Sequence, residues 1–168
     1  MSLIKKIAAG DVRALERLYE QLGTRVYRLA MSILGDTYGA EDIVQETFLR
    51  VQEKATAYKR EESDAAWVFA IARNLAMDRI RKNARERLSC EEEFPETTES
   101  EKGYSDILFL DMISDLSDEE REMVSLRIVA ELKWDEIGRI LGIGAEAARK
   151  RYSRSLEKLR RKNFYEDR

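Results

Sequence analysis

Apolar side chains return every three to four residues along almost the whole chain, and the pattern lapses between residues 88 and 104. That period buries one face of an α-helix, and few segments show the period of two that a half-buried strand needs. The chain is therefore predicted to be all-α. Pro95, the one proline, falls inside the lapse, and residues 89–101 are acidic and polar. They read as a flexible linker. The expected architecture is two small helical domains, residues 7–87 and 105–163, joined by an acidic linker over residues 88–104. A length of 168 residues suits that division.

Local signals divide the domains further. Asp11 can cap a helix over residues 11–34, in one or two pieces, with Leu15, Leu18, Tyr19, Leu22, Val26, Leu29, Ala30 and Ile33 at helical spacing. Residues 35–39 read as a turn. A second helix covers residues 40–56 and buries Ile43 or Val44, Phe48 and Val51. After a polar loop at residues 58–63, a third runs over residues 64–87 with Trp67, Ile71, Leu75 and Ile80 on its apolar side. The second domain restarts near Ser105 with a short apolar helix carrying Ile107, Leu108, Leu110, Met112 and Ile113. Ser117 and Glu120 fit a capping box for a helix reaching Ala130. Two further helices, residues 134–141 and 145–162, flank a turn at residues 142–144.

Charge is segregated along this framework. The net charge of −3 suggests no polyanionic partner. Yet residues 73–87 hold six basic and two acidic side chains, residues 86–106 two basic and eight acidic, and residues 149–162 eight basic and one acidic. Two basic helices thus flank an acidic tether. Histidine is absent and Cys90 is the single cysteine, which removes the commonest general base, any His/Cys metal site and any intramolecular disulfide. Carboxylates and lysines remain for enzyme chemistry, so an enzyme stays open but is less expected, and no cofactor is expected. Residues 1–6 show no signal core, and no run approaches the ~18 apolar residues of a membrane span. A cytoplasmic protein without membrane insertion is expected.

Three constellations carry functional weight. The strongest spans residues 134–156. Ile137, Ile140 and Leu141 face inward from one helix, and Ala148, Tyr152 and Leu156 return to the same core from the next. Gly138 permits close approach, and Gly142 can take the left-handed turn conformation. This is a helix-turn-helix pattern whose second helix would enter the DNA major groove. The plain alternative is a helical hairpin with charged outer faces. Residues 142–147 also match the glycine-rich dinucleotide fingerprint, but a helix rather than a strand precedes them, which rejects it. In the second constellation, residues 40–50, Asp42, Gln45 and Glu46 share one helix face, either a partner surface or a solvated one. The third, residues 66–82, runs from aromatics into arginines. It suits single-stranded nucleic acid, or else a core helix with a solvated edge.

In this order, the three resemble the extracytoplasmic-function (ECF) sigma factors of bacterial RNA polymerase. Residues 40–51 are similar to the family's A-E-D-[LI]-V-Q-E-T-F-L-R-V motif, residues 67–82 to its W-[LV]-F-x-I-A-R-N-L-A-x-D-x-[LI]-R-[RK] motif, and residues 116–159 to its C-terminal helix-turn-helix pattern. The resemblance implies an alternative sigma factor, not itself an enzyme. Its first domain would be sigma region 2 and its second sigma region 4. Asp42, Gln45 and Glu46 would bind core RNA polymerase. Tyr58, Lys59 and Arg60 in the loop, with Asn74, Asp78 and Arg81 on the helix, would engage the melted non-template strand of the −10 element and a flipped base. Arg149, Lys150, Arg151, Ser153 and Arg154 would contact the double-stranded −35 element, Arg151 through phosphate. The acidic linker would lie in the polymerase's RNA exit channel, and an anti-sigma factor is an expected partner. The chain departs from the family pattern at Lys133 and Gly144, where the family often has Ser and the caps look weaker. It departs also at Ala147, Ala148 and Lys150, and at Glu61 and Glu62, which make the loop acidic. From the residues alone, the alternative is an autonomous helix-turn-helix regulator that binds an operator as a dimer.

Overall fold

The computed structural model describes residues 1–59, 61–89 and 104–166. Among the described residues there is no strand, and eight α-helices follow in order: α1 (Leu3–Ala8), α2 (Val12–Leu34), α3 (Thr37–Lys54), α4 (Asp64–Ser89), α5 (Tyr104–Ile113), α6 (Asp118–Ile128), α7 (Trp134–Leu141) and α8 (Ala145–Glu166). A 3-10 turn at Ala55–Ala57 closes α3.

The N-terminal half is a bundle of α2, α3 and α4 with α1 laid across it. Helix α1 was not expected from the sequence. It is only six residues long, and its signal is two buried isoleucines, Ile4 and Ile7. Ser2 caps it, and the Asp64 carboxylate at the start of α4 accepts from Ser2 Oγ (2.5 Å) and Leu3 N (2.7 Å). The long second helix is unbroken. Asp11 Oδ1 accepts from Ala14 N (3.3 Å) at its start, and Gly35 ends it at φ 65°.

The turn expected at residues 35–39 shrinks to Gly35 and Asp36. Asp36 Oδ2 accepts from Gly39 N at 2.9 Å, so Thr37, Tyr38 and Gly39 already belong to α3. Gly39 serves as space, not as a turn, since a Cβ there would sit 2.6 Å from that capping oxygen. Both Ile43 and Val44 are buried.

In α4 the expected apolar side was misplaced. The buried residues are Ala66, Val68, Phe69, Ala72 and Ala76, while Trp67, Ile71 and Leu75 are half-buried and Ile80 is exposed. This helix packs against α2 and α3 and also meets α7, so it is covered on more than one side and needs small residues between its neighbours. From Arg81 to Leu88 every residue is exposed. Pro95 and most of the expected linker lie outside the described residues.

In the C-terminal half the capping box at Ser117 forms, with Glu120 N donating to Ser117 Oγ (3.3 Å) and Ser117 N donating to Glu120 Oε2 (2.8 Å). Helix α6 stops at Ile128, short of Ala130, because the chain turns through Glu131 at φ 52°. Lys133 provides no side-chain cap to α7; only the Glu136 carboxylate closes that end, accepting from Lys133 N at 2.9 Å. One continuous apolar cluster includes Val26, Leu29, Phe69 and Ala72 from the first half and Met123, Leu126, Ala130, Leu132 and Ile137 from the second.

Candidate nucleic-acid interface

Helices α7 and α8 meet at Gly142, which takes φ 68°. Gly138 lies against the turn so closely that a Cβ would come within 2.6 Å of Ile143 O. Ala148 is fully buried, and Tyr152 packs on Trp134 with ring centroids 5.2 Å apart. Arg127 lies over the other side of this unit, its guanidinium 4.6 Å from the Trp134 ring centre, and donates to Leu132 O (2.7 Å). Ala147 is exposed, so of these two departures from the family pattern only Ala148 lies in the core.

With α8 held by Ala148, Tyr152, Ser155 and Leu159, its opposite face presents Arg149, Lys150, Ser153 and Arg154, and Arg151 lies at the flank. All five are exposed. Lys150 pairs with Glu146 at 3.1 Å, whereas among the described residues Arg149, Arg151 and Arg154 have no ion-pair partner. The rest of the basic run is divided. Lys158 binds Glu120 at 2.9 Å and Lys162 binds Asp115 at 2.6 Å, so they tie α8 to the start of α6 and to the turn before it. The Lys158 hydrogen bond, helped by the Ser117 backbone, holds the Glu120 carboxyl below its ordinary range.

On α4, Asn74, Asp78 and Arg81 form one exposed stripe, with Arg81 and Asp78 paired at 3.2 Å. The loop before α4 is tightly built. Tyr58 is half-buried, donates its hydroxyl proton to Glu62 O (2.5 Å) and meets Trp67 edge-on at 5.3 Å. Burial first, and the nearby Asp64 carboxylate second, push its pKa up to about 12. Ser63 Oγ caps α4 by accepting from Ala66 N at 3.1 Å. Lys59 is exposed, and Arg60 lies outside the described residues.

On α3, Asp42 and Gln45 are exposed and Glu46 is half-buried. Asp42 pairs with Arg79 of α4 at 3.1 Å, and Glu46 with Arg50 at 3.4 Å. Leu49, 59% exposed, shares this face and went unremarked in the sequence, although its spacing from Gln45 and Glu46 was available as a signal. Arg79 gave no such signal, because its partner lies on another helix.

The site is therefore three separate surfaces: a cationic helix α8, a polar stripe with its loop on α4, and an acidic face with one leucine on α3. Among the described residues no group of His, Cys, Asp or Glu could hold a metal ion, and no described helix is long and apolar enough to cross a membrane.

Comparison with known proteins places these surfaces in context. The Sigma-70 region 2 family matches residues 18–86 and the Sigma-70 region 4 family matches residues 112–161. The chain is 33% identical to the ECF RNA polymerase sigma factor BldN of Streptomyces coelicolor, an alignment covering 84% of this chain and 57% of BldN. It is 29% identical to the ECF RNA polymerase sigma factor SigW of Bacillus subtilis, over 94% of this chain and 93% of SigW. Against the ECF RNA polymerase sigma factor SigE of Mycolicibacterium smegmatis the identity is 30%, over 91% of this chain and 64% of SigE. The fold is that of the sigma factor RpoE from Bartonella quintana, solved in complex with the anti-sigma factor NepR, at TM-score 0.76 and 23% identity, covering 89% of this chain and 96% of that one. It is also that of CnrH, solved with the cytosolic domain of CnrY, at TM-score 0.69 and 23% identity, covering 94% and 92%.

Proposed function

Because the chain belongs to the ECF group of RNA polymerase sigma factors, we propose that it is an alternative sigma factor that binds core RNA polymerase and directs initiation at promoters with −35 and −10 elements. The observation that carries this reading is the pairing, in one chain, of a helix-turn-helix whose arginine face has no ion-pair partner among the described residues with a second exposed helix and loop of region 2. An autonomous regulator needs only the first.

The roles divide by surface. The region 4 half, residues 105–163, reads the −35 duplex. Arg149, Lys150, Ser153 and Arg154 point into the groove and Arg151 meets phosphate. The region 2 half, residues 7–87, carries Asn74, Asp78 and Arg81 along the melted non-template strand. The loop with Tyr58, Lys59 and Arg60 takes a flipped base, whose unstacking costs a few kcal/mol and so calls for a rigid pocket. The Tyr58–Glu62 and Ser63–Ala66 hydrogen bonds supply that rigidity. Asp42, Gln45 and Glu46, with Leu49 beside them, bind a basic surface of core polymerase. Residues 88–104 tether the halves in a basic channel. The protein acts in the cytoplasm, performs no chemistry of its own, and is held by an anti-sigma factor of the kind solved with its structural relatives.

Transcription in vitro with core polymerase from the host, on fragmented genomic DNA, is the test. Specific initiation that disappears in Asp42→Lys/Glu46→Lys is the expected result. Absence of initiation by a folded protein, or binding to a palindromic operator as a dimer without polymerase, refutes the reading.

A further inference from the structure

Polar contacts between distant parts of the chain are of two kinds. One kind joins the halves: Arg25 donates to Val129 O (2.9 Å) and Ala130 O (2.5 Å), Arg28 donates to Asp106 Oδ1 (2.5 Å), and Arg73 pairs with Glu122. The other kind lies inside the N-terminal half and converges on the loop at residues 58–63. Its centre is Asp64, the first residue of α4.

A carboxylate in the first turn of a helix ordinarily serves that helix, facing its free N–H groups and the positive end of its dipole. Asp64 serves α1 instead. Its Oδ1 accepts from Ser2 Oγ at 2.5 Å and its Oδ2 from Leu3 N at 2.7 Å, 62 and 61 residues away along the chain. All three residues are half-buried. Capping of α4 falls to Ser63, through Ala66 N. A helix as short as α1 does not persist alone, so it depends on this carboxylate and on the burial of Ile4 and Ile7.

Helix α1 also meets the other root of the loop. It packs against the 3-10 turn Ala55–Ala57, where Ala55 is buried and its carbonyl accepts from Tyr58 N at 3.2 Å. The segments leading into and out of the loop thus rest on one helix. Between them the Tyr58 hydroxyl, which donates to Glu62 O, lies beside both Asp64 and Ser2. Lys59, Glu61 and Ser63 are exposed. The loop therefore buries little apolar surface of its own and takes its shape from its roots.

We infer that Asp64 is a positioning residue for −10 recognition: through Ser2 and Leu3 it fixes α1 against both roots of the loop at residues 58–63, and so sets the shape of the flipped-base pocket without touching DNA. The inference rests on the sigma-factor reading above. A recognition pocket discriminates only when its supports hold it to roughly half an ångström. Loosening this support relaxes the choice of base at one promoter position and leaves the rest of promoter reading intact.

The test uses the full chain assembled with core polymerase, on a promoter recovered in the transcription experiment above with each −10 and −35 position varied in turn. Asp64→Ala is expected to flatten the preference at a single −10 position by roughly three- to tenfold, the scale of one hydrogen bond. Preferences at −35 and affinity for core polymerase are expected to stay unchanged. Asp64→Asn keeps an acceptor oxygen and is expected to restore most of the preference. A purely structural role predicts instead an equal loss at every variant promoter, in step with lowered thermal stability. That uniform loss, an unchanged profile in Asp64→Ala, or an Asp64→Asn profile as flat as that of Asp64→Ala overturns the assignment. Should Asp64→Ala not fold, Ser2→Ala removes one bond and leaves the carboxylate: a flattened single position supports the assignment and an unchanged profile overturns it. If the parent initiates at no promoter, the sigma-factor reading fails and the recognition role with it, while hydrogen exchange of the loop amides in parent and variants still reports whether Asp64 holds the loop.

Discussion

At Ser125 the hydroxyl is buried and has no hydrogen-bond partner among the described residues. A polar group taken from water without compensation is destabilising, so Ser125→Ala is expected to raise the stability by about 1 kcal/mol. Urea denaturation of the two proteins measures this directly. Tyr58 is satisfied but sensitive to alkali. Its folded pKa of about 12 exceeds the ordinary 10.0, so the folded state keeps a proton that the unfolded chain releases. The resulting stabilisation is complete below pH 10 and is lost as pH rises through 12. Tyr58→Phe is expected to flatten that part of the stability curve, and a spectrophotometric phenolate titration of the parent gives the pKa itself. Gly138 is constrained by space. Its Cβ position lies 2.6 Å from a backbone oxygen that cannot swing away, so Gly138→Ala should cost roughly 1–3 kcal/mol by forcing the turn apart.

Among the helices, α8 separates two kinds of positive charge that look alike in the sequence. Lys158 is an anchor to α6 and Lys162 to the turn before it, whereas Arg149, Arg151 and Arg154 have no ion-pair partner among the described residues. Arg149→Ala or Arg154→Ala should relax discrimination at one base pair by roughly 1–3 kcal/mol. Arg151→Ala should instead weaken binding to every sequence alike and reduce the salt slope of log K by about 0.9. Titration of matched and mismatched −35 duplexes at several salt concentrations distinguishes them. The anchors were invisible beforehand because Glu120 and Asp115 belong to other segments of the chain. What the sequence did disclose was local: the Ser117–Glu120 box, the Gly142 turn and the bounds of α7 each depend on residues within one or two turns. The inner face of α4 was misread because periodicity assumes one buried side, and this helix is packed on more than one.

For the molecule as a whole, the all-α class and the order of the motifs were legible, since both follow from composition and short patterns. The contact between the halves was not. Its arginines and their acceptors are 49 to 105 residues apart, and arginine on a helix surface is ordinarily solvated. A continuous core has a measurable consequence for unfolding. Trp67 reports on the first half and Trp134 on the second, so Trp67→Phe and Trp134→Phe each leave one fluorescent reporter. Coincident denaturation midpoints are expected from the two, within experimental error, as for a single cooperative unit. Arg25 adds an asymmetry of inheritance. It holds main-chain oxygens of Val129 and Ala130, which every amino acid supplies, so a side-chain change there does not remove the acceptors themselves. Substitutions at 129 and 130 would therefore act through side chains buried in the shared core, Ala130 being 1% exposed, and not through loss of these acceptors.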